Sequence, residues 1–311
     1  MPTTSPDRPW SDLSRPPLRA AALRAALVAG PQPAWRELVV LAATGSTNAD
    51  LAEQARAGAG EGLVLVTDDQ RSGRGRLGRS WEVPARSSIA VSVLLRPAAP
   101  GLGWVDADLV PQERWSWLPL LAGVAVVDAL TRVCGLPARL KWPNDVLVPA
   151  DGRAPRGGID PDGLRKVCGI LAEVVPTPGG PAVVVGAGIN VNQAAAELPV
   201  PTATSLLLAG SSTVDRDTVL RAYLRALSDR YRSWRGAGGD PRGSGLAAAY
   251  REACVTVGRQ VAVQLPVGPA LTGRAEGIDD DGRLLVAGPD GTVRALAAGD
   301  VVHVRPPAGA A

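Results

Sequence analysis

The chain has 311 residues, 46% of them hydrophobic, and a net charge of +3 with its basic residues spread along the length. That size and composition suit one large domain with a smaller one beside it, and a weak, dispersed charge argues against nucleic-acid binding. Three cysteines without metal-ligand spacing, no signal-peptide start and no stretch expected to reach membrane-span length point to a reduced, cytoplasmic protein.

Residues 1–35 read as a mobile tail, rich in Pro, Ser and Arg over 1–17, with a short Ala/Leu helix over 17–28. Gly45-Ser46-Thr47-Asn48 then precedes a helical pattern over 49–57, an N-cap signal. A strand over 62–67 leads into a Gly/Arg segment, and 88–95 is a second strand, β-branched and apolar. Residues 97–115 form a Pro/Gly-containing connection. The run 118–133 has helical spacing and is apolar nearly all round, so it is expected to be buried. After Lys141-Trp142-Pro143-Asn144-Asp145 comes a Pro-, Gly- and Asp-rich loop (149–163), then strands over 165–175 and 182–191. A helix over 218–234, capped by Asp215 or Thr213, and a shorter one lead to Cys254. Beyond it, short strands separated by Asp281-Gly282 and Asp290-Gly291 turns predict a small all-β barrel. The expected architecture is α+β, with a catalytic domain over 36–253 and the barrel over 254–306.

The most informative segment is Gln70-Arg71-Ser72-Gly73-Arg74-Gly75-Arg76-Leu77-Gly78-Arg79-Ser80-Trp81. Glycines let backbone close around a ligand, and guanidinium forks match carboxylate and phosphate oxygens, so the segment is built to surround an anion. Gly73-x-Gly75-x-x-Gly78 spells a dinucleotide fingerprint. That fingerprint needs a helix opening at the loop, and Pro84 followed by a strand argues against one; no P-loop lysine follows either. A solvated basic hairpin is the plain alternative.

Of the 33 basic residues only Lys141 and Lys166 are lysines. A chain that uses Arg almost everywhere keeps Lys where a compact ammonium serves and a planar fork does not. Gly169 and Glu173 follow Lys166 on a strand, and Gly186-Ala187-Gly188-Ile189-Asn190 lies on the next. The Gly45–Asn48 segment, the Arg-Gly loop, the Lys141–Asp145 motif, the Lys166 strand and this Gly/Asn strand, in this order, closely resemble biotin protein ligases. The resemblance runs from about residue 45 to 206, and the C-terminal barrel agrees with it.

The resemblance implies a mixed-sheet catalytic domain of the biotin/lipoate ligase (class II synthetase-like) fold with an SH3-like barrel. It implies activation of biotin with ATP and Mg2+ to biotinyl-5′-AMP, then transfer to a lysine of a biotin carboxyl carrier domain. Lys166, Arg76 and Arg74 would be catalytic. Ser46, Thr47, Asn48, Gln70, Gly73, Arg74, Arg76, Lys166 and Gly169 would bind biotin. Arg74, Arg76, Arg79, Trp81, Lys141, Asn144, Asp145 and Asn190 would hold ATP or the adenylate, with Asp145 the candidate carboxylate near metal. Plainer readings stand beside these: Ser46 and Thr47 as helix caps, Trp81 and Trp142 as wall residues, Glu173 as a structural partner, and His303 as structural. About 40 residues precede the Ser-Thr-Asn segment, so no DNA-binding domain is expected there; monomer and homodimer both stay open. A lipoate or octanoate ligase, or a non-catalytic biotin sensor, is the alternative function.

Overall fold

Apolar residues at period two build a seven-stranded mixed sheet in the computed structural model, which describes residues 15–31, 33–99, 109–150, 163–265, 268–297 and 299–303. Its strands are β1 (Glu37–Leu41), β2 (Leu63–Thr67), β5 (Ser88–Leu95), β6 (Arg139–Lys141), β7 (Asp145–Pro149), β8 (Leu164–Val175) and β9 (Ala182–Asn190); β3 (Gly73–Arg74) and β4 (Ser80–Trp81) pair separately as a two-stranded hairpin. The order is β1-β2-β5-β9-β8-β7-β6, with β1 and β2 parallel and every other pair antiparallel.

Helices cover both faces. On one side α3 (Trp117–Ala129), α4 (Arg216–Gly236), α5 (Leu246–Ala253) and α1 (Ala20–Leu27) bury the main core with Val64, Val91, Val185 and Ile189. On the other, α2 (Thr47–Arg56) packs Leu51 and Ala55 against Leu63, Leu65, Leu94 and Val184. Along β2 the odd residues face α2 and the even ones the main core, so the strand is apolar on both sides. The segment Trp117–Cys134 corrects one expectation, since it is long and apolar enough to cross a membrane. Here it is a core helix, packed against the sheet, α4 and α5 and ending in a π turn before the left-handed Gly135 (φ 67°).

The stretch over 15–35 is no loose tail. Leu23, Leu27 and Trp35 are fully buried, and Trp35 Nε1 donates to Leu224 O (2.9 Å). Just before α1, the buried Arg216 donates to Pro16 O and to Asp68 (2.7 Å), while Arg15 pairs with Glu197 (2.5 Å). Residues 1–14, and most of the 149–163 loop, lie outside the described residues.

The second sheet has order β13-β12-β11-β10-β14, from β10 (Gln260–Gln264), β11 (Leu271–Ile278), β12 (Leu284–Ala287), β13 (Val293–Leu296) and β14 (Asp300–His303), all antiparallel. Its inner residues Val261, Val263, Ala275 and Val286 join the main core. Two indoles fasten it: Trp117 Nε1 donates to Asp280 O (2.7 Å) and Trp142 Nε1 to Gly282 O (3.2 Å).

One buried charge cluster holds the far end of α4. Arg235, fully buried, pairs with Glu61 (2.6 Å), which also accepts from the Tyr231 hydroxyl (2.6 Å) and the Arg96 amide (2.8 Å). Removing one partner strands the other charge away from water. Glu61→Ala is expected to lose about 3–5 kcal/mol of stability in urea unfolding; a loss under about 1 kcal/mol would mean water reaches Arg235.

Candidate active site

A cleft of about 620 Å³ opens on the α2 face of the main sheet, over the central strands. Its floor is a matter of register. Gly169 on β8 pairs with Gly188 on β9, and Gly188 with Ala90 on β5; beside that row run Leu171, Gly186 and Ser92. Two adjacent rows of mostly small residues leave a trough where an ordinary sheet would raise side chains. A methyl group at Gly188 would lie 2.8 Å from the Trp81 ring, and one at Gly186 would overlap Asn48 Oδ1.

Lys166 enters this cleft through a β-bulge. Val146 pairs with Cys168 but Leu147 pairs with Lys166, so Val167 is the extra residue. Strict alternation from Gly169 would turn Lys166 to the opposite face. The bulge puts Val167 and Cys168 both into the core and re-aims Lys166 at the cleft. The loop over 199–203 anchors the spot: Lys166 N donates to Thr202 O (2.8 Å) and Thr204 N to Lys166 O (2.8 Å).

The Arg-Gly segment is a flap. Gly73 and Arg74 pair with Trp81 and Ser80, enclosing a single 3-10 turn (Arg76–Gly78), and no longer helix opens there. A Cβ at Gly73 would overlap Trp81 O, and Gly78 turns the chain with φ 72°. Leu77, at the tip, is left-handed (φ 55°) and exposed. The flap lays the Trp81 indole against Gly169 and Gly188, 5.4 Å below Lys166 Nζ, with its own Nε1 buried and unpartnered.

Among the described residues, five cations line the cleft (Arg74, Arg76, Arg79, Lys141 and Lys166) against three carboxylates, Glu82, Asp145 and Asp300. Both lysines of the chain are therefore in one site. Three cations hold a carboxylate: Lys166 pairs with Asp145 (2.6 Å), Arg74 with Glu173 (3.3 Å), and Arg79 with Asp300. Arg76 donates to Asn144 Oδ1 at 3.4 Å. Burial lowers the pKa of both Arg76 and Lys141, and neighbouring cations push the same way, Arg79 on both and Lys166 on Lys141; Asp145 and Asp300 oppose the shift. Both would gain from an anion in the cleft.

At the α2 end the groups are neutral. Ser46 caps α2, its Oγ accepting from Ala49 N (3.5 Å), and also lines the cleft, so the capping and site readings coexist. Gln70 Oε1 accepts from the Thr47 amide (3.0 Å). Asn48 lines the cleft but donates to Glu173 (2.7 Å), and Asn144 Nδ2 donates to Ile170 O (2.9 Å). Asn190 is turned to the wall, donating to Thr204 O (2.9 Å) and accepting from Gln193 (3.0 Å), which holds the 199–203 loop. Every predicted site residue lines the cleft except Gly73, which shapes the flap behind it. Trp142 is buried in the core, and His303 sits against Thr256 (3.4 Å). No cluster of three or more metal-ligating side chains occurs among the described residues. Asp300, Ser92 and the 199–203 loop escape the sequence reading, and Gly188 enters it only as part of a motif, without a role. The Gly186-x-Gly188 alternation is a usable signal for close approach; Asp300, arriving from the other sheet, has none.

A flap of guanidinium groups over a glycine trough, with both lysine ammoniums beside it, suits a ligand that carries negative charge. Residues 41–190 match the biotin/lipoate A/B protein ligase family, and residues 256–304 match the biotin protein ligase C-terminal domain. The chain is 44% identical over 298 residues to a biotin–[acetyl-CoA-carboxylase] ligase of Mycobacterium tuberculosis, covering 94% of this chain and 98% of that one. It is 32% identical to the enzyme of the same name from Paracoccus denitrificans, covering 81% of this chain and 95% of that one. The structure superposes on biotin protein ligase from Aquifex aeolicus in complex with biotin and ATP with a TM-score of 0.66 at 26% identity, covering 88% and 100% of the two chains. The chain belongs to the biotin protein ligases.

The Arg79–Asp300 pair is the contact in the cleft that ties flap to second sheet. Asp300→Ala is expected to speed tryptic cleavage after Arg74, Arg76 and Arg79 several-fold in the ligand-free protein. An unchanged cleavage rate would show that the flap is held by Trp81 and its contacts to Glu173 and Asn144, without Asp300.

Proposed function

We infer that this chain activates biotin with MgATP to biotinyl-5′-AMP and then biotinylates a lysine of a carboxylase's biotin carboxyl carrier domain. The observation that carries the reading is the convergence of the flap arginines and both lysines on one trough that also presents neutral hydrogen-bonding groups. A neutral cyclic urea suits the Ser46, Thr47 and Gln70 end, and a carboxylate suits the cationic end.

In the first step a carboxylate oxygen of biotin bonds to the α-phosphorus, the bond from that phosphorus to the bridging oxygen breaks, and pyrophosphate leaves. Two anions about 4 Å apart repel by roughly 4 kcal/mol at an effective dielectric of 20, and cations must offset that. Lys166 is the compact charge able to touch carboxylate and α-phosphate together, while Arg74 and Arg76 fold over them from the flap. Lys141, Arg79 and Asn144 lie on the nucleotide side, with Trp81 as a wall for the base. Asp145 is the candidate carboxylate near magnesium, which would supply charge neutralisation at the nucleotide's phosphates. In the second step the carrier's lysine amine attacks the acyl carbon, AMP leaves, and the amine's proton passes out. Asp145, beside Lys166, is the nearest carboxylate for that proton. The C-terminal match favours this reading over a lipoate ligase, and five cations exceed what a sensor of biotin's single carboxylate needs.

The direct test is pyrophosphate release that requires biotin and is not supported by lipoate. Lys166→Arg keeps the charge but broadens the group, and is expected to lower adenylation by at least about tenfold; near-wild-type turnover would remove Lys166 from the reaction centre. Arg76→Gly opens the flap, so biotinyl-adenylate should escape and label bystander proteins. An unlabelled bystander with unchanged adenylate retention would count against closure by this arginine.

A further inference from the structure

Below the cleft, five side chains form an unbroken polar line: Glu173, Asn48, Ser92, Thr47 and Gln70. Asn48 Nδ2 donates to Glu173 Oε2 at 2.7 Å and its Oδ1 is 2.6 Å from Ser92 Oγ; Ser92 Oγ is 2.8 Å from Thr47 Oγ1. Thr47 meets Gln70 Oε1 through its amide (3.0 Å) and more distantly through its hydroxyl (3.2 Å). Ser92 is fully buried and Thr47 and Asn48 nearly so. Gly186 leaves the space Asn48 needs.

The charge at one end orders the protons along the line. A carboxylate and a backbone carbonyl can only accept, so the Asn48 amide turns its NH2 toward Glu173 (2.7 Å) and, at longer range, Leu171 O (3.3 Å), and its carbonyl toward Ser92. Ser92 has one proton and two oxygens in reach. Asn48 Oδ1 can only accept, so Ser92 donates there, and the Thr47 hydroxyl gives its proton to the nearer acceptor, Ser92 Oγ at 2.8 Å, over Gln70 Oε1 at 3.2 Å. That commits the only Thr47 side-chain proton and leaves lone pairs of Thr47 Oγ1 for the cleft. At the other end the Thr47 amide holds Gln70 Oε1, so Gln70 is left with Nε2 as its free donor. The pair offered is one acceptor and one donor, the complement of a urea's N–H and C=O.

We propose that Glu173 and Ser92 are positioning residues that fix the proton direction of this line, and thereby select the urea head of biotin at Thr47 and Gln70. The proposal rests on the reading of the chain as a biotin ligase. Glu173 stands outside the reacting atoms, and Ser92 has no exposed surface to touch a ligand.

The test is steady-state adenylation and direct biotin binding for the wild type, Ser92→Ala, Asn48→Asp, and the double variant Asn48→Asp with Glu173→Gln. Ser92→Ala and Asn48→Asp should each raise the biotin KM and Kd about tenfold, the size of one lost buried hydrogen bond, with kcat and the ATP KM within about twofold. Asn48→Asp sets two carboxylates face to face. In the double variant the amide introduced at position 173 donates to the carboxylate introduced at position 48, which still accepts from Ser92. The direction is thereby restored, and the biotin KM should recover most of the loss. Circular dichroism matching the wild type accompanies each variant. A wild type that adenylates biotin beside a Ser92→Ala protein of unchanged biotin KM, or a double variant no better than Asn48→Asp, overturns the inference and leaves the ligase reading standing. A wild type that forms no biotinyl-adenylate overturns the reading and the inference with it.

Discussion

Like charges repel, and this fold gathers five cations into one cleft before any anion arrives. It manages that by giving three of them a carboxylate: Asp145 for Lys166, Glu173 for Arg74 and Asp300 for Arg79. Exposed pairs of this kind are weak, of order 0–1 kcal/mol, so they hold position without binding too firmly to exchange. Arg76 and Lys141 make no such pair among the described residues, and both are destabilised as cations by burial. The cleft is therefore poised: an incoming carboxylate or phosphate relieves the buried pair and competes on good terms for the rest.

Holding those charges close to a ligand requires a surface without side chains in the way. The paired Gly169 and Gly188, with Gly186 one row over, supply it, and the bulge at Val167 brings the Lys166 ammonium to its edge. The sheet's stiffness matters here, since six of its seven strands are joined by antiparallel ladders and both faces are buried. A charged group mounted on such a frame needs little reorganisation when the reaction develops charge. The flap is the complementary part, a two-stranded hairpin with a left-handed tip, anchored by Arg79 to a sheet contributed by residues 260–303. Catalytic domain and C-terminal sheet share one apolar core, so the small sheet is part of the site's support as well as one of its walls.

Much of the fold is legible along the chain. The strands over 62–67, 88–95, 165–175 and 182–191 stand out because buried strands are β-branched runs between turns, and each occurs within a residue or two of its expected bounds. The Asp215 cap of α4 and the Ser46 cap of α2 follow from local hydrogen-bonding chemistry. The segment 15–35 departs from the expected tail because its polar and Pro-rich surroundings hide four core residues, Leu18, Leu23, Leu27 and Trp35, whose burial depends on contacts with α4 nearly two hundred residues away. Likewise 117–134 carries no local mark that distinguishes a core helix from a membrane span; only the elements around it do.

For the site, composition and spacing by themselves singled out the Gly/Arg loop as a cationic, close-approaching segment and drew notice to the two lysines, all of which line one cleft, because residue chemistry is local and survives without coordinates. Tertiary structure alone decided which acid each cation would meet, that Asp300 would cross from the second sheet, and that Lys166 would face the cleft at all. Those outcomes hinge on strand register and one extra residue in a ladder. A shift of a single position turns a side chain to the opposite face, and no property of an individual residue encodes that choice.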